Sequence, residues 1–296
     1  MKHAYKKPAL KNIGTYLLFA GPAMFVFIAV IVIPLIYGFA LTFTDWNGIS
    51  KNMNFTGLTN YFTMAQDKAF WYSMGLTALY TILGVLFVNI VAFLLAYILT
   101  SGIRGQKFLR AGFFIPYLIG GITLGYIWKF VFSRAIPELY NIIPVELFEK
   151  SWISATGTSF AALVIVTVWQ YAGYMMLIYI AGFVSISVDI IEAARIDGAR
   201  ELQITRYVRM PLMVSSFVVC IFLTITRCFK VYDLNMSLTG GDPFGSTRLV
   251  SMQIYTKAFE DMNYGVGQAE ALVLFIIVAI IGIVQVTSGK KKEVEA

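Results

Sequence analysis

Six stretches of the chain stay predominantly apolar for roughly the 20 residues that a helix needs to cross a hydrocarbon layer: 16–41, 71–99, 113–132, 160–183, 212–229 and 271–286. Polar residues gather between these blocks, so the pattern changes block by block instead of residue by residue. A transmembrane barrel would show short segments of strict alternation, and none occurs. Only helices and closed barrels satisfy the backbone inside lipid. The pattern therefore predicts an all-α integral membrane protein, with six transmembrane helices over 16–288 and short tails at 1–15 and 289–296. The first apolar run exceeds the h-region of a signal peptide and ends without a small-residue cleavage site, so it reads as a retained span.

Composition narrows the class further. With 58% hydrophobic and 13% charged residues, the chain cannot surround itself with a hydrated surface, and little length is left for a separate soluble domain. The 23 Lys and Arg residues set the orientation, because short cytoplasmic loops retain positive charge. Fourteen lie in the N-terminal tail, the second-to-third loop (Arg104, Lys107, Arg110), the fourth-to-fifth loop (Arg195, Arg200, Arg206, Arg209) and the C-terminal tail. Six occupy the opposite loops and three lie within or beside spans. Both termini are then expected in the cytoplasm and 234–268 outside it. The net charge of +7 follows from these membrane flanks and calls for no nucleic acid.

Most catalytic chemistry is missing. The one histidine, His3, sits in the N-terminal tail, which removes metal clusters and Ser-His-Asp arrangements. Ser288-Gly289-Lys290 lacks the upstream glycine and following hydroxyl of a phosphate-binding loop. An enzyme, a metal site and a nucleotide site in this chain are therefore not expected. No internal duplication is evident, which counts against an inverted-repeat carrier. Cys220 and Cys228 fall two turns apart in the fifth apolar run, where packing is favoured over a disulfide.

The polar interval 185–210 carries the strongest functional signal. It holds eight charges of mixed sign (Asp189, Glu192, Arg195, Asp197, Arg200, Glu201, Arg206, Arg209) around Ala193, Ala194 and Gly198. Asp189, with Glu192 three residues on, predicts a capping box opening a helix over 190–197. Gly198 suits the left-handed end of that helix. A second helix over 200–209 would enter Pro211 at the first turn of the fifth span. Ala193 and Ala194 clear space for another backbone, and Ile190, Ile191, Ile196 and Leu202 supply apolar anchors for a groove. A loop helix lying on lipid headgroups is the alternative.

Glu192-Ala193-Ala194-x-x-x-Gly198, with Val208-x-Met210-Pro211 following, resembles the signature loop of permease subunits from binding-protein-dependent ABC importers. The family pattern usually ends Ile-x-Leu-Pro, so Val208 and Met210 are conservative departures. Phe43-Thr44-Asp45-Trp46-Asn47-Gly48, Phe55-Thr56-Gly57-Leu58-Thr59-Asn60-Tyr61, Phe113-Phe114-Ile115-Pro116 with Ile127-Trp128, and Phe229-Lys230-Val231-Tyr232-Asp233 with Leu238-Thr239-Gly240-Gly241-Asp242-Pro243 are similar to the carbohydrate branch. Within that branch they look like the first permease of maltose and glycerol-phosphate importers. The resemblance implies a type I importer transmembrane domain in a bacterial cell (inner or plasma) membrane, with the loop forming cytoplasmic coupling helices. On it, Glu192, Ala193, Ala194, Asp197, Gly198, Val208 and Pro211 engage the ATPase. The implied partners are a second, non-identical permease, two ATPase subunits that hold ATP and Mg, an extracytoplasmic solute-binding protein, a saccharide and membrane lipid. This chain itself would bind no cofactor.

Charged groups within spans are costly and mark pathways. Arg227, Lys230 and Asp233 recur every three residues, predicting one helical stripe. The resembling sequences carry a small residue at the position of Arg227, and a guanidinium grips carboxylates, so an acidic, uronate-containing oligosaccharide is expected. A structural ion pair is the other reading: Glu270, where the family tends to have serine, opens the sixth apolar run and could neutralise Arg227 or Lys230. Tyr171, Tyr174, Tyr179, Asn89, Gln170, Tyr232 and Asn235 are candidate saccharide contacts, against helix packing or interfacial belts. Gly120, Gly121 and Gly173 permit close helix approach. The stretch 247–259 is amphipathic; by resemblance it meets the binding protein, and otherwise it lies in the outer interface. A neutral oligosaccharide or glycerol-phosphate-like solute, a secondary transporter and a membrane scaffold stand as alternatives.

Overall fold

The computed structural model describes residues 13–290; most of both expected tails, His3 included, lies outside the described residues. Among the described residues, four helices are long and apolar enough to cross a membrane: Leu18–Leu41, Lys68–Thr100, Thr156–Ser185 and Tyr264–Gly289. Two bent pairs accompany them, Gln106–Leu118 with Gly121–Leu139 at 99° and Glu201–Leu212 with Val214–Phe229 at 72°. With each pair counted as one span, the number is six.

The two bends correct the expected spans. The third apolar run, 113–132, is not one helix. Pro116 lies in a tight turn of helix, Ile115–Leu118, and the next two residues are extended (Ile119 φ −79, ψ 126; Gly120 φ −61, ψ 144). Proline offers no N–H to continue the ladder, and the side-chain amide of Gln170 donates to the Ile119 carbonyl at 3.0 Å, giving that freed acceptor a partner. The fifth span does not start with Pro211. Pro211 belongs to the separate turn Met210–Leu212, Met213 breaks the helix, and the span proper is Val214–Phe229. The sixth helix begins at Tyr264, seven residues before the apolar run, so Glu270 lies within it and not at its opening.

The chain divides into two compact units. The first joins the segment up to Gln66 to Lys257–Leu272. Within it, Thr44 pairs with Phe55 in an isolated bridge. The Asn54 side chain and backbone N–H donate to Asp45 at 2.9 and 2.8 Å and hold its carboxyl below the usual range. Buried Asn60 donates to the carbonyls of Thr42 and Thr44, both at 2.8 Å. Trp46 packs edge-on against Tyr264 at 5.0 Å. The two motifs at 43–48 and 55–61 are thus one knot of mutual hydrogen bonds.

The second unit, Asp67–Thr256 with the chain from Val273 onward, contains Lys68–Thr100 packed along Thr156–Ser185. Asp67 caps the former by accepting from the N–H groups of Ala69 and Phe70. One core gathers Tyr80, Leu124, Phe132, Leu163 and Val166; a second gathers Val88, Met175, Met176, Tyr179 and Met213. Glycines bring backbones together in this unit. A Cβ on Gly173 would fall 1.8 Å from the Phe113 carbonyl oxygen, and one on Gly125 would fall 1.9 Å from Ser237 Oγ. Cys220 and Cys228 are buried free thiols, as the packing reading expects.

Candidate functional site

The polar loop folds as two short helices at an angle. The first is Val188–Ile196. Its cap is Ser187, whose Oγ accepts from the Asp189 N–H at 3.3 Å, and not the expected Asp189–Glu192 box. A serine two residues earlier does the same work because Ser, Asp and Asn cap almost equally well. Asp197 ends the helix and Gly198 turns the chain with φ +82, a left-handed conformation that other residues adopt at a cost. The N–H groups of Asp197, Gly198 and Ala199 close the end onto the carbonyls of Ala193, Arg195 and Ala194.

The second loop helix opens at Arg200, whose N–H donates to the Gln203 side chain at 2.8 Å, and runs through Glu201–Ile204 and the wider turn Thr205–Arg209. Glu201 ties the two helices together, accepting from Arg195 at 3.5 Å and from Arg209. Burial raises its carboxyl, but the Arg209 hydrogen bond and charge, with those of Arg195, outweigh it and hold the group below its ordinary range. Ile204 anchors the loop inward at 1% exposure. Facing out are Glu192, Ala193, Asp197 and Gly198, with Ile196 at 86%, Leu202 at 79%, Tyr207 at 70% and Val188 at 66% exposure. Ala194, Val208 and Pro211 are half-buried, as are Ile190 and Ile191. Val188 and Tyr207 went unnoticed in the sequence because their neighbours set no period that marks an outward face.

A separate polar cavity of about 790 Å³ opens at the break in the third span. Its walls include Tyr117, Ile119, Gly120, Gly121, Gln170, Tyr171, Thr226, Arg227, Lys230, Tyr232 and Asp233. Arg227, Lys230 and Asp233 do not form one helical stripe: the helix stops at Phe229, Lys230 caps it, and a new helix starts at Asp233. The kink still brings all three to one cavity. Arg227 Nη2 donates to the Tyr117 hydroxyl at 3.3 Å, and its guanidinium carbon sits 5.9 Å from the centre of the Tyr171 ring, within cation–π range. Tyr117 stacks on Tyr174 at 4.4 Å with the rings 10° apart.

Other candidates lie elsewhere. Asn89 donates to the Val85 carbonyl at 2.7 Å and accepts from the Tyr179 hydroxyl at 2.8 Å, a bond between two spans. Asn235 is fully buried and accepts from Thr239 Oγ1 at 2.9 Å. Glu270 is fully buried in the first unit. Tyr117 was missed because 110 residues separate it from Arg227 and no local period links them. A larger cavity of about 950 Å³ beside Phe87, Val91, Leu95, Val164 and Trp169 is walled by apolar residues and glycine. It offers almost no polar group to a hydroxylated solute.

Comparison with known proteins supplies the context for this geometry. Residues 89–291 match the family described as binding-protein-dependent transport system inner membrane component. The chain is 41% identical over 292 residues to the probable starch degradation products transport system permease protein AmyD of Thermoanaerobacterium thermosulfurigenes, covering 99% of each. It is 31% identical to the multiple sugar-binding transport system permease protein MsmF of Streptococcus mutans, over 88% of this chain and 90% of that one. A bacterial ABC transporter involved in the import of the acidic polysaccharide alginate shares the fold, with TM-score 0.81 at 17% identity over 95% of this chain and 97% of that one. With the multi-pass helical fold in hand, the family match and these sugar-transport relatives together establish that the chain belongs to the inner-membrane permease components of binding-protein-dependent ABC importers, in the branch that carries carbohydrates.

Proposed function

We propose that this permease forms half of a path for an acidic, uronate-containing oligosaccharide and drives its alternating access through the loop from Glu192 to Pro211. The observation that carries the substrate reading is the polar cavity in which Arg227 and Lys230 stand beside Tyr117 and Tyr171. Rings offer flat faces to sugar C–H surfaces, and the guanidinium offers paired donors to a carboxylate. Two cations against one carboxylate, Asp233, leave the cavity with a positive balance.

Coupling to ATP hydrolysis rests on the loop. Its apolar side chains Val188, Ile196, Leu202 and Tyr207 stand exposed on the same two loop helices as the small, exposed Ala193. This suits insertion into a cleft on an ATPase subunit that holds ATP and Mg. Glu192, Asp197 and Gly198 would contact that cleft, while Val208 and Pro211 would pass its motion to the fifth span. The spans Leu18–Leu41 and Tyr264–Gly289 are each only 6% buried over their apolar windows, leaving surface for lipid and for a second, non-identical permease. A solute-binding protein would deliver sugar at the end opposite the loop. Tyr232 lines the cavity and Tyr174 backs it; Asn89, bonded to Tyr179, is assigned to holding two spans together.

The test is ATP hydrolysis by the reconstituted complex with its binding protein, comparing neutral and uronate-containing oligosaccharides in wild type and Arg227→Ala. Stimulation by acidic sugars that falls at least about tenfold in the variant is expected, the scale of a lost charge-assisted hydrogen bond. Stimulation by neutral sugars alone, unchanged in Arg227→Ala, would keep the importer and refute the acidic substrate.

A further inference from the structure

Every side chain that touches Arg227 through its polar atoms matters for what the cavity selects, and one of them belongs to the broken span. Tyr117 lies in the tight turn Ile115–Leu118, immediately before the break. Three independent contacts fix it. Gly173 lets the 113–114 backbone press directly on the helix Thr156–Ser185. Gln170, from that same helix, holds the Ile119 carbonyl at 3.0 Å. Between these two points the Tyr117 ring lies flat on Tyr174, one turn along.

A ring so held has a single place for its hydroxyl, and that place is 3.3 Å from Arg227 Nη2. Arg227 would otherwise be a free rotor. Its side chain is exposed in the cavity, and a long exposed cation loses considerable rotamer entropy on meeting a ligand. With Nη2 given to Tyr117 and the guanidinium held beside the Tyr171 ring, the remaining N–H donors have a defined direction before any sugar arrives.

We infer that Tyr117 is a specificity-determining positioning residue: its hydroxyl orients Arg227 so that a sugar carboxylate is preferred over a neutral hydroxymethyl group at the same ring position. The inference rests on the acidic-substrate reading and adds the group that gives it selectivity. A phenolic hydroxyl can both accept from the guanidinium and donate onward, so it satisfies one of the five donors of Arg227 and leaves the others for a ligand. Phenylalanine at this position would keep the ring, its stack on Tyr174 and the helix contact, and remove only the acceptor.

The experiment is sugar-stimulated transport by the full reconstituted complex in Tyr117→Phe, Arg227→Ala and the double variant, each read as KM and maximal rate for a matched pair of oligosaccharides differing only in a uronate carboxylate. Tyr117→Phe should raise KM for the acidic sugar by about tenfold, the scale of one hydrogen bond to a charged group. The maximal rates and the KM for the neutral partner should shift far less. The double variant should match Arg227→Ala alone, because the hydroxyl acts through the guanidinium. A wild type without acidic preference would overturn the substrate reading and this inference together. A preference that Arg227→Ala abolishes and Tyr117→Phe retains would overturn the role of Tyr117 only. Equal loss for both sugars in Tyr117→Phe would also overturn it, since that marks a structural side chain. Tyr117→Trp, which keeps an aromatic ring without the acceptor, guards against a fold defect peculiar to one variant: it too should lose acidic preference, and its retention of that preference would count against the inference.

Discussion

At Gly173 a hydrogen atom stands where any other residue would place a methyl group 1.8 Å from the Phe113 carbonyl oxygen and 2.5 Å from its carbon. Both atoms are backbone, so no side chain can swing aside to make room, and the turn carrying Tyr117 would have to lift off its helix. Overpacking of this kind costs about 1–3 kcal/mol. Gly173→Ala should therefore lower the thermal stability of the purified permease by several degrees, read by the loss of monodisperse protein on heating in detergent. Gly120→Ala is the control, because nothing lies within 4 Å of its added methyl and its extended backbone suits any residue. Equal losses in the two variants would mean that the close approach at Gly173 is not what holds the turn. Only part of this was legible in the sequence. Gly173 could be marked as a possible contact because glycine is common where spans touch, and Arg227 stood out because charge in a span is costly. Tyr117 could not be marked: it is one of 17 tyrosines, and its value comes from a partner that the bend, not the local pattern, brings near.

Among the elements, apolar length was readable and continuity was not. The second and fourth runs match single helices, Lys68–Thr100 and Thr156–Ser185, since uninterrupted propensity over that length leaves the chain no other choice in lipid. The third run looks equally apolar, yet Pro116 with Gly120 splits it into a bent pair, whereas Pro211 with Met213 sets a bend at the start of the fifth run, which otherwise folds as the single helix Val214–Phe229. Proline inside a run signals a kink but not its angle, which depends on a distant group such as Gln170 taking up the freed carbonyl. The loop helices show the same division. Gly198 was legible because a left-handed turn narrows the choice of residue, whereas the Arg195–Glu201–Arg209 brace depends on the turn itself. That brace predicts a pH effect. The Glu201 carboxyl is held below its ordinary value of 4.5, so its contribution is fully present above that value and fades as pH falls through the lowered one. Glu201→Gln removes it at every pH. At neutral pH, amide exchange over 200–209 should be faster in Glu201→Gln by at most about fivefold, since exposed ion pairs contribute under about 1 kcal/mol. Unchanged exchange would show that the two loop helices hold their angle without the carboxylate.

Across the whole molecule, the fifth span fixes what lies on which side. Val214–Phe229 is 16 residues long, about 24 Å of helix, and it separates the loop at 187–210 from the turn at 239–247. On the positive-inside rule we propose that the first of these lies in the cytoplasm, with the tails. If the loop receives an ATPase, it must lie there, because ATP is cytoplasmic; if a binding protein delivers sugar, the second must face the other way. Charge distribution and function therefore make one joint demand that a single labelling experiment can refuse. The native thiols, Cys220 and Cys228, are both buried, so a membrane-impermeant maleimide should find almost no background. Gln203→Cys, exposed on the second loop helix, and Phe244→Cys, at a position 95% exposed, give one reporter at each end. In intact spheroplasts Phe244→Cys should label and Gln203→Cys should not; after permeabilisation both should. Labelling of Gln203→Cys from outside would invert the topology, and with it both the coupling role of the loop and the direction in which the cavity at Arg227 is filled.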